Sequence, residues 1–178
     1  MTCVLAHLQK RYLLDESDSN DTSSECWTIP ITYSTASHPT FENSTPKLWM
    51  TCDQQVTNIS NMPGPDQWVI FNNRLSGLYR VQYDTRNWIL ISEAMNSARF
   101  QRISLLNRAQ LLNDMMAFAW TGDVGYDVSL DLVRYLRQET SYMPWRTALG
   151  AFSKLHSILR RTPDYHHFRV GIPLTAPT

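Results

Sequence analysis

The stretch Ser104-Leu105-Leu106-Asn107-Arg108-Ala109-Gln110-Leu111-Leu112-Asn113-Asp114-Met115-Met116-Ala117-Phe118-Ala119-Trp120-Thr121-Gly122 decides how the chain is read. Leu105, Ala109, Leu112, Met116 and Ala119 recur at steps of four and three, which places them on one stripe of a helix. Ser104 can cap the first turn through its hydroxyl, and Gly122 ends the pattern. Toward the carboxyl end, Asp127 is read as the cap of a further helix with Val128, Leu132, Tyr135 and Leu136 on one side. Pro144 stands in the first turn of the next, a favoured place for proline, ahead of the stripe Trp145, Ala148, Leu149, Phe152, Leu155 and Leu159. Toward the amino end, Trp88, Ile91 and Met95 mark the earliest helix, with Asp84 or Thr85 near its start. The short connections predict antiparallel neighbours, a stack of helical hairpins that begins an α-solenoid.

Before Asp84 the period changes from helical to two. Trp27, Ile29, Ile31 and Tyr33 alternate with Thr28, Pro30 and Thr32, which predicts a strand with one apolar face, at an edge or bulged because Pro30 has no N–H. Residues 8–14 are a second candidate strand. Residues 68–71 and 78–83 read as a hairpin, with Asn72 to Gly77 turning the chain and Gly77 free to take positive φ. The expected fold is therefore α+β: a partial antiparallel β-sandwich over 1–84, antiparallel helical hairpins over 85–162, and an irregular, proline-marked tail over 163–178.

The charge distribution follows the same division. Lys and Arg number 16, as do Asp and Glu, among 178 residues. Residues 1–84 hold 5 basic and 9 acidic residues, net −4, whereas 85–178 hold 11 and 7, net +4. The neutral total argues against a nucleic-acid partner, which calls for a basic excess. No apolar run approaches the roughly 18 residues of a membrane helix. Met1 to His7 does not read as a signal peptide, since no basic residue precedes its short apolar run.

Cys3, Cys26 and Cys52 form no CxxC. Buried or free thiols are the plain reading; a Cys26–Cys52 disulfide suits an oxidising compartment, and spacing does not decide between them. Asn20-Asp21-Thr22, Asn43-Ser44-Thr45 and Asn58-Ile59-Ser60 all fit the N-glycosylation pattern and favour a secreted ancestry, with Asn20, Asn43 and Asn58 as candidate acceptors.

No other chemistry is visible. None of His7, His38, His156, His166 and His167 is followed by Glu, so the paired-histidine helix of a zinc peptidase is missing. The acidic run Asp15 to Asp21 lacks the glycine and closing Glu of a calcium loop. No nucleophile elbow, phosphate loop or dinucleotide fingerprint occurs. Arg134, Arg137, Arg160 and Arg161 read as a solvated helix face.

Several segments carry a resemblance. Residues 9–14 (QKRYLL) and 27–33 (WTIPITY), then 68–73 (WVIFNN) with 76–84 (SGLYRVQYD), and finally 106–111 (LNRAQL) with 142–145 (YMPW) resemble, in order, the zinc metalloaminopeptidases of the animal aminopeptidase N type, insect-type ones above all. The resemblance runs from about Gln9 to Val170 and spans the end of that family's β-domain and the start of its helical carboxyl-terminal domain. It implies an extracellular or plasma-membrane parent enzyme that removes amino-terminal residues from peptides with zinc, its helical domain closing over the active site.

The family's H-E-x-x-H, third ligand Glu and G-A-M-E-N motif are not in this sequence, so no catalytic, metal-binding or cofactor-binding residue carries over. Met1 to His7 and Gly171 to Thr178 depart from the family pattern, as they would in a truncated isoform, a gene fragment or a faulty gene model. The expected role is a noncatalytic portion of such an enzyme, with no cofactor of its own. The alternative is an interaction module that binds the full-length aminopeptidase or another partner through an exposed helical edge; self-association is a further expectation.

Overall fold

The structure, a computed structural model, describes residues 3–5, 26–52, 57–59, 62–163 and 165–166. Its contacts group into two compact units, Met1–Tyr79 and Arg80–Thr178. All described strands lie in the first unit and all α-helices in the second, so the chain is α+β, with antiparallel strand pairs followed by four helices.

Among its described residues the first unit has six three-residue strands: β1 (Cys3–Leu5), β2 (Ile29–Ile31), β3 (Tyr33–Thr35), β4 (Leu48–Met50), β5 (Thr57–Ile59) and β6 (Val69–Phe71). They pair antiparallel as β1 with β5, β2 with β4 and β3 with β6. The single strand expected over 27–33 is thus split at Thr32, and its halves serve different partners. Its apolar alternation also fails at both ends: Trp27 is exposed, and Thr32 and Ser34 are buried while Tyr33 is half-buried. Hydrogen bonding explains the exchange. The Thr32 hydroxyl accepts from the Asn73 N–H at 2.8 Å, its carbonyl accepts from the Asn72 N–H at 2.9 Å, and the Ser34 hydroxyl donates to Asn73 Oδ1 at 3.1 Å.

The hairpin expected from 68–71 and 78–83 is not formed. Strand β6 pairs with β3, and residues 78–84 are irregular. The turn works differently too: Asn72, Arg74 and Leu75 take positive φ, not Gly77. Asn tolerates this region because its short amide bonds locally. Asn72 Oδ1 accepts the Gly77 N–H at 2.9 Å, while its Nδ2 donates to the carbonyls of Gly77 and Tyr79 at 2.9 and 3.2 Å. Around this corner Trp68 stacks on Phe41 and Phe71 tilts against Tyr33.

Cys26 and Cys52 form a disulfide, Cα atoms 5.5 Å apart, which corrects the plain thiol reading. Antiparallel pairing of β2 with β4 brings the residues flanking those strands together, a proximity that spacing in the chain does not reveal. The candidate strand 8–14 lies outside the described residues.

The second unit holds α1 (Thr85–Asn96), α2 (Leu105–Thr121), α3 (Tyr126–Val133), continued by a 3₁₀ turn over Arg134–Gln138, and α4 (Tyr142–Leu159). Asp84 caps α1, its Oδ1 accepting the Asn87 N–H at 2.8 Å, and Trp88, Ile91 and Met95 are buried. Ser104 caps α2, and Gly122, at φ 82°, closes it in the left-handed conformation that glycine adopts freely. Ala109, Leu112, Met116 and Ala119 are buried as expected, but Leu105, at the first position of α2, is exposed. Gly125, not Asp127, is the cap of α3. A Cβ there would fall 2.3 Å from Asp127 Oδ1, so the acidic side chain of the first turn takes the space instead. In α4, Trp145, Ala148 and Phe152 are buried, Leu155 and Leu159 are half-buried and Leu149 is exposed, so the packed stripe is narrower than expected.

Candidate functional site

The sequence offered no catalytic cluster, so the titratable groups that the helical unit buries are the natural candidates. They form two sites along α2. The first joins Arg108, on α2, to Glu139, which follows the 3₁₀ turn. Arg108 Nε donates to Glu139 Oε2 at 2.7 Å, its Nη2 donates to Oε1 at 3.4 Å, and its Nη1 donates to the Ile103 carbonyl at 2.7 Å. Glu139 Oε1 also accepts the N–H groups of Thr140 and Ser141 at 3.0 and 2.9 Å, and the Glu139 carbonyl accepts from Trp145 Nε1 at 2.9 Å. Burial by itself would raise the Glu139 pKa, but Arg108 and the Ser141 amide outweigh it and hold the carboxyl below its ordinary value. Both side chains are buried, and the Arg108 guanidinium also lies over the Phe100 ring. Tyr135 is buried beside this pair with its hydroxyl making no hydrogen bond of ordinary geometry; burial, then the Glu139 charge, push its pKa well up.

The second site centres on Asp114. Its Oδ1 accepts from Arg80 Nη1 at 2.9 Å, and its Oδ2 from the Val81 N–H at 3.2 Å and Gln110 Nε2 at 3.4 Å. Gln110 accepts in turn from Asn107 Nδ2 at 2.9 Å, and Asn107 Oδ1 from the Ser104 hydroxyl at 2.7 Å. Spacings of three and four put Ser104, Asn107, Gln110 and Asp114 on one face of α2. The donors all point toward the carboxylate. Burial nevertheless pushes Asp114 up to about 6, against the Val81 amide, Arg80 and Gln110.

Both sites tie segments of the helical unit together. Glu139 is engaged by an arginine and two backbone amides, and Asp114 by an arginine, one backbone amide and the Gln110 side chain. The described residues do not fit the zinc ion implied by the family resemblance: no group of three His, Cys, Asp or Glu among them could hold a metal. His156 pairs edge-on with Tyr165, its Nδ1 3.1 Å from the phenol oxygen, and His38 Nδ1 lies 3.0 Å from the Ser37 hydroxyl.

Of the candidate glycan acceptors, Asn43 is exposed in the loop between β3 and β4, where its Oδ1 accepts the Thr45 N–H at 3.0 Å. Asn58 lies within β5, opposite Val4. Asn20 falls outside the described residues. Sequence reading passed over Arg108, Asp114 and Glu139 as functional positions. The signal was present for two of them, since Arg108 and Asp114 are charged yet lie among the apolar residues of α2. No helix among the described residues is long and apolar enough to cross a membrane.

Comparison with known proteins places these features in context. A family model described as the ERAP1-like C-terminal domain matches residues 68–172. An aminopeptidase N of Plutella xylostella is 35% identical over 172 residues, covering 95% of this chain and 18% of that protein. A membrane alanyl aminopeptidase of Manduca sexta is 40% identical over 127 residues, 71% of this chain and 13% of its own length. An aminopeptidase Ey of Gallus gallus is 31% identical over 145 residues, 80% of this chain and 14% of its own. The chain thus spans less than a fifth of the length of these relatives.

Proposed function

The chain belongs to the ERAP1-like C-terminal domain family, and on that premise we propose that it serves as a noncatalytic portion of a zinc-dependent aminopeptidase. In this reading, residues 1–84 belong to a partial β-sandwich and 85–162 are the first helices of a solenoid-like domain; the tail expected over 163–178 lies almost wholly outside the described residues. The parent enzyme would remove amino-terminal residues from peptides at the cell surface or outside the cell. Its zinc and peptide-binding groups would lie in residues other than these. The observation that carries the reading is the engagement of both buried carboxylates, Asp114 and Glu139, by arginines and backbone amides. Zinc-dependent hydrolysis needs a metal that activates water and polarises the carbonyl, and these side chains are engaged in internal structure.

An assay of the purified chain on an aminoacyl chromogenic substrate, with and without zinc, tests this. No turnover above blank is expected; turnover that rises with zinc and vanishes with chelator would overturn the proposal. Metal analysis after dialysis should likewise find no stoichiometric zinc.

A second reading, an interaction module that self-associates or binds the full-length enzyme, draws support from α4, where Tyr142, Met143, Leu149 and Ile158 are exposed. Retention of intact aminopeptidase by the chain, abolished by Leu149→Asp with Ile158→Asp, would favour it; no retention would remove the enzyme as its partner. Sedimentation of the chain alone tests self-association.

A further inference from the structure

We infer that Asn43 is an acceptor for N-linked glycan, and that the fold presents it for this modification whether or not the chain serves an aminopeptidase. Three positions satisfy the sequence pattern, and the structure separates two of them. Asn43, Ser44 and Thr45 are all exposed. The Asn43 backbone carbonyl is turned inward, where buried Asn73 donates to it through Nδ2 at 2.9 Å, and Asn73 is itself held by the Thr32 and Ser34 hydroxyls. The side chain closes a local turn by accepting the Thr45 N–H on Oδ1, and no described residue takes its Nδ2. This bond spans only two residues, so it can form in the nascent chain before tertiary structure exists. Asn58, by contrast, lies in the β5 ladder, and the next residue of its pattern, Ile59, is buried.

The Cys26–Cys52 disulfide points independently to the same environment. Such bonds persist in oxidising compartments, and the secretory route that forms them is also where glycan is transferred. The co-reactant is a polyprenyl-pyrophosphate-linked oligosaccharide. Asn43 Nδ2 forms a bond to the anomeric carbon and loses one proton. The bond from that carbon to the pyrophosphate oxygen breaks, and its electron pair leaves with the polyprenyl pyrophosphate. Pro46 follows the hydroxyl residue and restricts Thr45 to extended backbone.

The test is to secrete the full chain from cultured eukaryotic cells behind a cleavable leader and map its glycopeptides by mass. Release of the glycan by amidase in heavy-oxygen water should convert Asn43 to labelled Asp in part of the wild-type protein. Thr45→Ala keeps the backbone N–H that closes the turn but lacks the hydroxyl, so it should fold, be secreted and show no label at Asn43; Thr45→Ser should retain label. An unmodified Asn43 in secreted wild type, or label undiminished in Thr45→Ala, would overturn the inference.

Discussion

The two units differ in the polar groups they bury. The strand-bearing unit inters neutral ones: Thr32, Ser34, Asn72 and Asn73 knit an irregular corner with hydroxyl and amide bonds. The helical unit buries charge beside neutral Asn107 and Gln110: the Arg108–Glu139 pair, and Asp114 with its partly exposed partner Arg80. Three-residue strands leave much backbone outside any ladder, and each such N–H and carbonyl needs a partner, which short neutral side chains supply in place. Helices satisfy their own backbone along most of their length. Their buried side chains are therefore free to reach between segments, and arginine with carboxylate spans that gap with strong, oriented bonds. Within the helical unit the contrast repeats. Glu139, with a guanidinium fork and two backbone amides, has its pKa lowered; Asp114, with weaker and longer partners, has its pKa raised to about 6.

The strongest way to break this comparison is Glu139→Ala. It strands the buried Arg108 guanidinium and should cost about 3–5 kcal/mol, enough to unfold the helical unit, as read by urea denaturation. An Arg108→Met, Glu139→Leu double variant should recover most of that loss, because it removes both charges together. A loss below about 1 kcal/mol for Glu139→Ala would mean that the pair is solvated.

Next in size is the disulfide. Cys26→Ser with Cys52→Ser should destabilise the strand-bearing unit by about 3.5 kcal/mol, from the entropy of opening a loop of 26 residues in sequence separation. The melting of the helical unit should be unchanged; an equal drop in both would show that the units melt as one.

The Asp114 pair sharpens the charged side of the contrast through pH. Its folded pKa, about 6, lies above the unfolded value, so the native state binds the proton more tightly. The stability this contributes is fully present below about pH 4 and is lost as pH rises through 6. Measured against Asp114→Asn, which does not titrate, wild type should lose about 2 kcal/mol between pH 4 and 7. Glu139 slopes the other way, losing stability as pH falls, but it is common to both proteins and cancels in the difference. A wild-type advantage that grows with pH would contradict the assignment.

The smallest effect belongs to the neutral corner. Asn73→Ala leaves the Ser34 hydroxyl without its acceptor and the Thr40 and Asn43 carbonyls without a donor. It should cost about 1–3 kcal/mol in the strand-bearing unit, with no pH dependence between 5 and 8.

Much of the helical unit was legible beforehand. Trp88, Ile91 and Met95, and the run from Ser104 to Gly122, announce their helices through spacing and caps, which are local signals. The cap of α3 was misplaced because Asp127 and Gly125 both suit that position, and contact with the Asp127 carboxylate favours glycine. The strand-bearing unit was less legible. A strand at 27–33 was expected from its alternation, yet Thr32 and Ser34 go inside because Asn72 and Asn73 approach from forty residues away. The expected hairpin is absent for the same reason, since β6 takes β3 as its partner and residues 78–84 form no strand. Of the candidate sites, the sequence patterns marked three asparagines, but only their surroundings distinguish exposed Asn43 from strand-bound Asn58.

By itself, then, the sequence determined what depends on near neighbours: the switch of period near Asp84, the helices with their caps, and the ordered motifs that resemble one aminopeptidase family. Tertiary structure alone decided the antiparallel pairings β1–β5, β2–β4 and β3–β6, the joining of Cys26 to Cys52, and the partners of Asp114 and Glu139. The physical reason is range. Helical hydrogen bonds and caps close within four residues, so their signal is written locally. Strand pairs, disulfides and buried ion pairs join residues from 17 to 56 positions apart, and which of the many available partners meets which is settled only when the whole chain competes for burial.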